Sequence, residues 1–183
     1  MKPKYLFMLL GYPGSGKTYF SERLASKIGA VRINADAMRV AAFGTIEAAR
    51  TFDKTTKLLN PIVFGVLDYT AAQVLKSGTS IICDYQHTRK SARDTKYAIA
   101  AENDAIPVVV WVQAPRDIAV QRGSEREESL DHRKHSKEKM EALVDKTTDL
   151  LDAPGEDERV IHIDGMVSFE EQYAAFAEQL AKF

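Results

Sequence analysis

A chain of 183 residues, 45% hydrophobic, holds enough apolar material for one compact core and too little for two ordinary domains. With 25 basic against 26 acidic residues the formal net charge is -1, which excludes binding of long nucleic acid by bulk electrostatics and leaves only a local basic groove. One cysteine, Cys83, excludes an internal disulfide, and His132 and His135 have no cysteine nearby to complete a zinc site, so a reduced, cytoplasmic setting is expected.

The first element is the apolar run YLFMLL, residues 5–10. Together with the following glycine it is only about seven residues long, against the roughly 20 that span a bilayer, so it is expected to be a buried strand and not a membrane anchor. A helix is expected from Lys17 to Ile28, with Phe20, Leu24, Ala25 and Ile28 on one face and Gly29 as its left-handed cap. The run AVRIN follows, then a long helical region with apolar pairs at Leu58/Leu59, Ile62/Val63 and Val66/Leu67. Pro61 there either kinks a helix or opens a new one after Asn60.

TSIICD, a helix and VVVWVQA come next, and then a charged stretch, residues 116–139, with no apolar strand. Met140, Leu143, Val144, Thr147, Leu150 and Leu151 mark a further helix. A turn-rich loop at 152–158 leads to VIHID, and Ser168 with Glu171 forms a capping-box signature before the last helix. Continuous apolar runs separated by helices imply strands buried on both faces, hence a parallel sheet wrapped by helices.

Between the first strand and the first helix stands GYPGSGKT, in which Gly11, Gly16, Lys17 and Thr18 satisfy G-x-x-x-x-G-K-[ST]. Gly14 and Gly16 allow unusual dihedrals and close approach, so that successive backbone N–H groups and the helix N-terminus can converge on one anion. Lys17 supplies a cation for the β- and γ-phosphates of ATP, and the Thr18 hydroxyl is placed to hold Mg²⁺. Tyr12, Pro13, Gly14, Ser15, Gly16, Lys17 and Thr18 are therefore the candidate nucleotide cradle. The dinucleotide pattern G-x-G-x-x-G fails, because Tyr19 stands where its third glycine would be.

Asp36 and Arg39 follow the second strand, three residues apart, at the sheet edge where open α/β folds bind ligands. Asp36 can accept the proton of an attacking hydroxyl and Arg39 can grip a phosphate on the acceptor. Asp84 closes the third apolar run and is the candidate acid beside the metal, with Thr18. In QRGSER, Arg122 and Arg126 are four apart, so on a helix they would share a face as lid arginines over the γ-phosphate; the alternative is a solvated helix end paired with Glu125, Glu127 and Glu128. His87, His132, His135 and His162 have no catalytic setting, and Cys83 and Trp111 are expected in the core.

Taken together, GYPGSGKT, NADAMR, IICDYQHTRKSAR and QRGSER resemble the P-loop kinases of the AAA-33 or zeta-toxin-like group, most closely the kinase domain of phage polynucleotide kinase. The resemblance runs along nearly the whole chain. It implies a three-layer P-loop NTPase fold in a single domain, with a five-stranded parallel sheet, helices on both faces and a short lid at about 114–135. It also implies ATP- and Mg²⁺-dependent phosphorylation of a hydroxyl: Asp36 as general base, Arg39 on the acceptor's phosphate, Asp84 near the metal, and Arg122 and Arg126 in the lid. The acceptor is then a polynucleotide 5′-hydroxyl end or a phosphate-bearing, nucleotide-like molecule, with small metabolites and nucleotide sugars as the alternative. The chain has no room for the phosphatase domain of the phage enzyme. The basic run QHTRKSARDTK mildly favours a phosphate-bearing acceptor, although a solvated surface helix would look the same. A reading from another class is an ATP-binding switch that hydrolyses ATP without an acceptor, although such a switch has no need of Asp36. No adenine-reading motif, choice between ATP and GTP, or oligomeric state follows from the sequence.

Overall fold

In the computed structural model, residues 3–127 and 135–183 are described; His132 and Glu128 lie outside them. The apolar runs become β1 (Tyr5–Leu10), β2 (Val31–Asn34), β3 (Ile81–Asp84), β4 (Ile106–Gln113) and β5 (Val160–Asp164). All pair in parallel, in the order β2-β3-β1-β4-β5. Each strand reaches the next through helices: α1 (Lys17–Ile28), α2 (Ala35–Phe43), α3 (Ile46–Thr56), α4 (Leu59–Lys76), α5 (Lys90–Glu102), α6 (Arg116–Glu125), α7 (Lys137–Asp149) and α8 (Phe169–Leu180).

Side chains of the central strand β1 alternate between two cores, as the two-residue period of a strand demands. Leu6, Met8 and Leu10 join Leu67, Ala71 and Leu75 of α4 and Ala100 of α5. Phe7 and Leu9 join Phe20 and Leu24 of α1 and Phe176 of α8 on the other face. This is the expected three-layer α/β architecture with a five-stranded parallel sheet. A smaller cluster of Val120, Met140 and Val144 packs α6 on α7. The expected lid therefore begins in a packed helix, α6, and continues into residues outside those described.

Pro61 is the third residue of α4. A first-turn N–H has no intrahelical acceptor, so its absence there costs no hydrogen bond, and the helix opens at Leu59 instead of kinking. Lys57, in the left-handed region at φ 57, ends α3 just before it. No single helix among the described residues is long and apolar enough to cross a membrane.

The start of α2 fixes the next part of the site. Asn34, the last residue of β2, accepts hydrogen bonds from the backbone N–H groups of Asp36 at 2.8 Å and Ala37 at 3.0 Å. Its amide nitrogen donates to the Asp84 carbonyl across the sheet at 3.1 Å. One side chain thus starts the helix and ties it to β3. Asn34→Ala is expected to lower stability by about 1–2 kcal/mol, read as a shift in the urea midpoint.

Candidate active site

The phosphate loop needs its glycines. Gly11, Gly14 and Gly16 have φ of 138°, 85° and 100°. A Cβ on Gly14 would run into the Ala119 carbonyl and one on Gly11 into that of Val112. Gly16 caps α1, yet no side chain bonds to the helix N-terminus and the first turn carries no acid. Four helices, α2, α3, α7 and α8, are capped by Asn34, Thr45, Ser136 and Ser168, the last in the expected capping box with Glu171; α4, α5 and α6 have no cap from their own N-cap residue, and the first N–H groups of α4 and α5 go to the carboxylates of Asp53 and Asp152. The N–H groups at the start of α1 are left to an anion, which is what a nucleotide's phosphates supply.

Lys17 Nζ folds back over the loop and donates to the carbonyls of Gly11 at 2.8 Å and Tyr12 at 2.6 Å. Burial is the main cause that lowers its pKa to about 8, with the nearby Arg126 charge adding to the fall and Asp84 opposing it. An ammonium so desolvated gains most from an incoming polyphosphate.

A cleft of about 540 Å³ lies against this loop, lined among others by Pro13, Gly14, Gly16, Lys17 and Thr18. Asp36, Arg39, Asp84, Arg122 and Arg126 line the same cleft. Two cradle candidates do not line it. The Tyr12 side chain turns away to pack against the cluster of Val120, Met140 and Val144, and Ser15 is fully buried, so neither side chain faces the cleft.

Asp84 is almost wholly buried. Its Oδ2 accepts from Arg32 Nε at 2.8 Å, Arg32 Nη2 at 2.5 Å and Asn34 Nδ2 at 3.3 Å. With Oδ2 held this way, Oδ1 and the Thr18 hydroxyl are the oxygens suited to Mg²⁺. No group of three or more His, Cys, Asp or Glu that could hold a metal occurs among the described residues, so such an ion would take most of its oxygens from phosphate and water, as Mg²⁺ commonly does. Arg32 and Asn34 were not among the sequence candidates. The parallel register that sets Asn34 beside Asp84 brings them there.

Asp36 is the second residue of α2, and the capping is done by Asn34. Arg39 faces the same way, donating through Nη1 to Asp36 Oδ1 at 2.9 Å and through Nη2 to Asn60 Oδ1 at 2.9 Å. Its guanidinium, expected to serve the acceptor, thus also braces Asp36 and the start of α4. Arg122 Nη1 donates to the Gly165 carbonyl at 2.8 Å, in the turn after β5. The two lid arginines do not share a helix face, because α6 stops at Glu125 and Arg126 is extended, at φ -61° and ψ 150°. They meet at the cleft all the same.

The basic run after β3 is a second correction. Arg93 is fully buried, pairing through Nε with Glu158 Oε1 at 2.7 Å and through Nη2 with Oε2 at 2.9 Å. Lys96 is buried against Asp68. Both cations hold the fold and neither lines the cleft, so the run gives no support for a phosphate on the acceptor. His87 is also buried, its Nδ1 3.2 Å from the Leu9 carbonyl, and desolvation drives its pKa down to about 3. Burial pushes the Cys83 thiol up to about 12, as expected of a core cysteine.

No curated protein matches the sequence. Among solved structures, a sugar kinase from a Janibacter species is 19% identical, with a TM-score of 0.67 over 98% of this chain and 95% of that one. A gluconokinase from Sinorhizobium meliloti is 17% identical, with a TM-score of 0.68 over 98% of this chain and 93% of that one. At such identities the likeness establishes a shared fold. The AAA-33 family model, described as an AAA domain, matches residues 6–152, which include the phosphate loop, Asp36, Asp84, Arg122 and Arg126: the chain belongs to that family.

Proposed function

We propose that this protein is an ATP- and Mg²⁺-dependent kinase that transfers the γ-phosphate to a hydroxyl of a small metabolite. The observation that carries the reading is a carboxylate, Asp36, in one cleft with a phosphate loop whose helix N-terminus is left uncapped. A protein that only binds or hydrolyses ATP has no use for a braced acceptor base there. The fold shared with a sugar kinase and a gluconokinase supports a small acceptor over the polynucleotide end that the sequence suggested first.

In this reading the acceptor hydroxyl sits at Asp36, with Arg39 fixing the carboxylate's position. Its oxygen forms a bond to the γ-phosphorus as the bond to the bridging β,γ-oxygen breaks; Asp36 takes the proton and ADP leaves. Lys17 must leave its loop carbonyls to reach the phosphates, and Arg122 and Arg126 offset charge on the transferring group. Mg²⁺ bound at Thr18 and Asp84 would screen the phosphate oxygens.

The test is transfer of label from γ-labelled ATP to a panel of sugars, sugar acids, nucleosides, nucleotide sugars and 5′-hydroxyl oligonucleotides, with Lys17→Ala as control. Labelled sugar or sugar acid, lost in the variant, is the expected result. Label on oligonucleotides alone would restore the polynucleotide reading, and free phosphate alone would indicate an ATPase or switch.

A further inference from the structure

A second cleft, of about 420 Å³, opens beside the first. Pro13, Asp36, Arg39 and Arg126 line both, so the two form one continuous space with these residues at the junction. The second part is lined in addition by Ile46, Leu59 and Arg50. Arg50 lines the second cleft and not the first, whereas Asp36 and Arg39 line both.

The charges in this second space are unequal. Among the described lining residues Arg39, Arg50, Arg126 and His135 stand against one carboxylate, that of Asp36; Arg39 already pairs with it at 2.9 Å, and Arg126 and His135 have partners of their own. Arg50 is only weakly committed to the protein. Its ion pair is with Glu47 one turn away, at 3.9 Å, and the side chains are 43% and 71% exposed. Such a pair contributes little and yields readily to a better partner. The stem of Arg50 is nonetheless well placed. Thr45 caps α3, the neighbouring Ala49 is fully buried, and Phe43 packs at a tilt against Phe52 with ring centroids 5.1 Å apart.

We infer that the acceptor carries an anionic group, a carboxylate or a phosphate, and that Arg50 receives it while the reacting hydroxyl lies at Asp36. The inference rests on the kinase reading for the hydroxyl but not for the anion. The apolar side chains of Ile46 and Leu59 in the same space suit a short carbon skeleton, and the volume is that of a compact molecule. A guanidinium fork matches either anion with two parallel hydrogen bonds.

The experiment uses matched acceptors that differ in charge: glucose with gluconate and glucose 6-phosphate, and glycerol with glycerate and glycerol 3-phosphate. KM and kcat are measured for the wild type, Arg50→Ala and Arg50→Lys. The expected result is a wild-type preference for one anionic form, and a rise of about 10–100-fold in its KM relative to the neutral form in Arg50→Ala, with a smaller change in kcat and partial rescue by Arg50→Lys. Which anionic form responds separates carboxylate from phosphate. A preference for neutral acceptors, or an equal rise in KM for neutral and anionic forms, overturns the inference. Calorimetric titration of the same anions into protein saturated with ADP and Mg²⁺ covers a failure of turnover. Binding lost in Arg50→Ala without transfer to any acceptor would uphold the anion subsite and remove the kinase reading; no binding would overturn the subsite.

Discussion

Asp36→Asn is expected to lower kcat for acceptor phosphorylation by about 10²–10⁴-fold, the range that a positioned general base supplies. The affinity for ATP should stay close to that of the wild type, because Asp36 stands where the two clefts adjoin and, in the proposed reading, Lys17, Thr18 and the N-terminus of α1 hold the nucleotide. The substitution is conservative. Asparagine keeps an oxygen for the 2.9 Å hydrogen bond from Arg39 and leaves the Asn34 cap untouched, so a fall in rate would report lost proton acceptance and not a disordered helix. Steady-state kinetics with the acceptor found by the panel, together with calorimetric ATP binding, give both numbers. Turnover equal to the wild type would remove Asp36 from the chemistry.

The second large effect concerns stability. Arg93→Ala is expected to cost about 3–5 kcal/mol, because it leaves Glu158 as a buried carboxylate without its cation. The loss spreads further, since Arg93 Nη1 also donates to the carbonyls of His87 at 3.1 Å and Thr88 at 3.2 Å and so fixes the chain that follows β3. The same pair sets an acid limit. Hydrogen bonds from Arg93 above all, and also from Tyr97 and the Gly155 N–H, lower the Glu158 pKa from the ordinary 4.5 to about 2. A lowered folded-state pKa contributes stability that is present above about 4.5 and lost as pH falls toward 2. Urea unfolding between pH 7 and pH 3 should show the advantage of the wild type over Glu158→Gln shrinking on acidification. A constant difference would mean that the pair does not titrate in this range. Replacing both partners by apolar residues should be milder than either single loss.

What the sequence reveals about this fold follows the range of the forces involved. The phosphate loop is local: its glycines, Lys17 and Thr18 lie within one turn, so spacing alone marks them. The five strands are legible because continuous apolar runs have few other uses. Asp36 and Arg39 are one helical turn apart, and their pairing follows from helix geometry. Arg32, in contrast, is a charged residue in a short strand, and its partner Asp84 is far along the chain; only the parallel pairing of β2 with β3 brings them together. The same limit hides Arg93. In sequence it belongs to a basic run that looks solvated, and nothing local marks Glu158 in a turn-rich loop as the carboxylate that buries it. Arg126 fails for another reason: the i,i+4 rule holds inside a helix, and α6 ends one residue too soon.

The position of Glu158 has a consequence for what counts as one folding unit. The family match ends at residue 152, before β5, α8 and Glu158. A fragment stopping there would strip β4 of its neighbour, opening a bare strand edge to intermolecular pairing. Phe7 and Phe20 would lose the Phe176 ring between α1 and the sheet, and Arg122 would lose the Gly165 carbonyl that orients it. Arg93 would become an uncompensated cation in the interior. The stretch that carries the recognisable motifs therefore lacks autonomy, and its cooperativity depends on the segment that the family pattern leaves out.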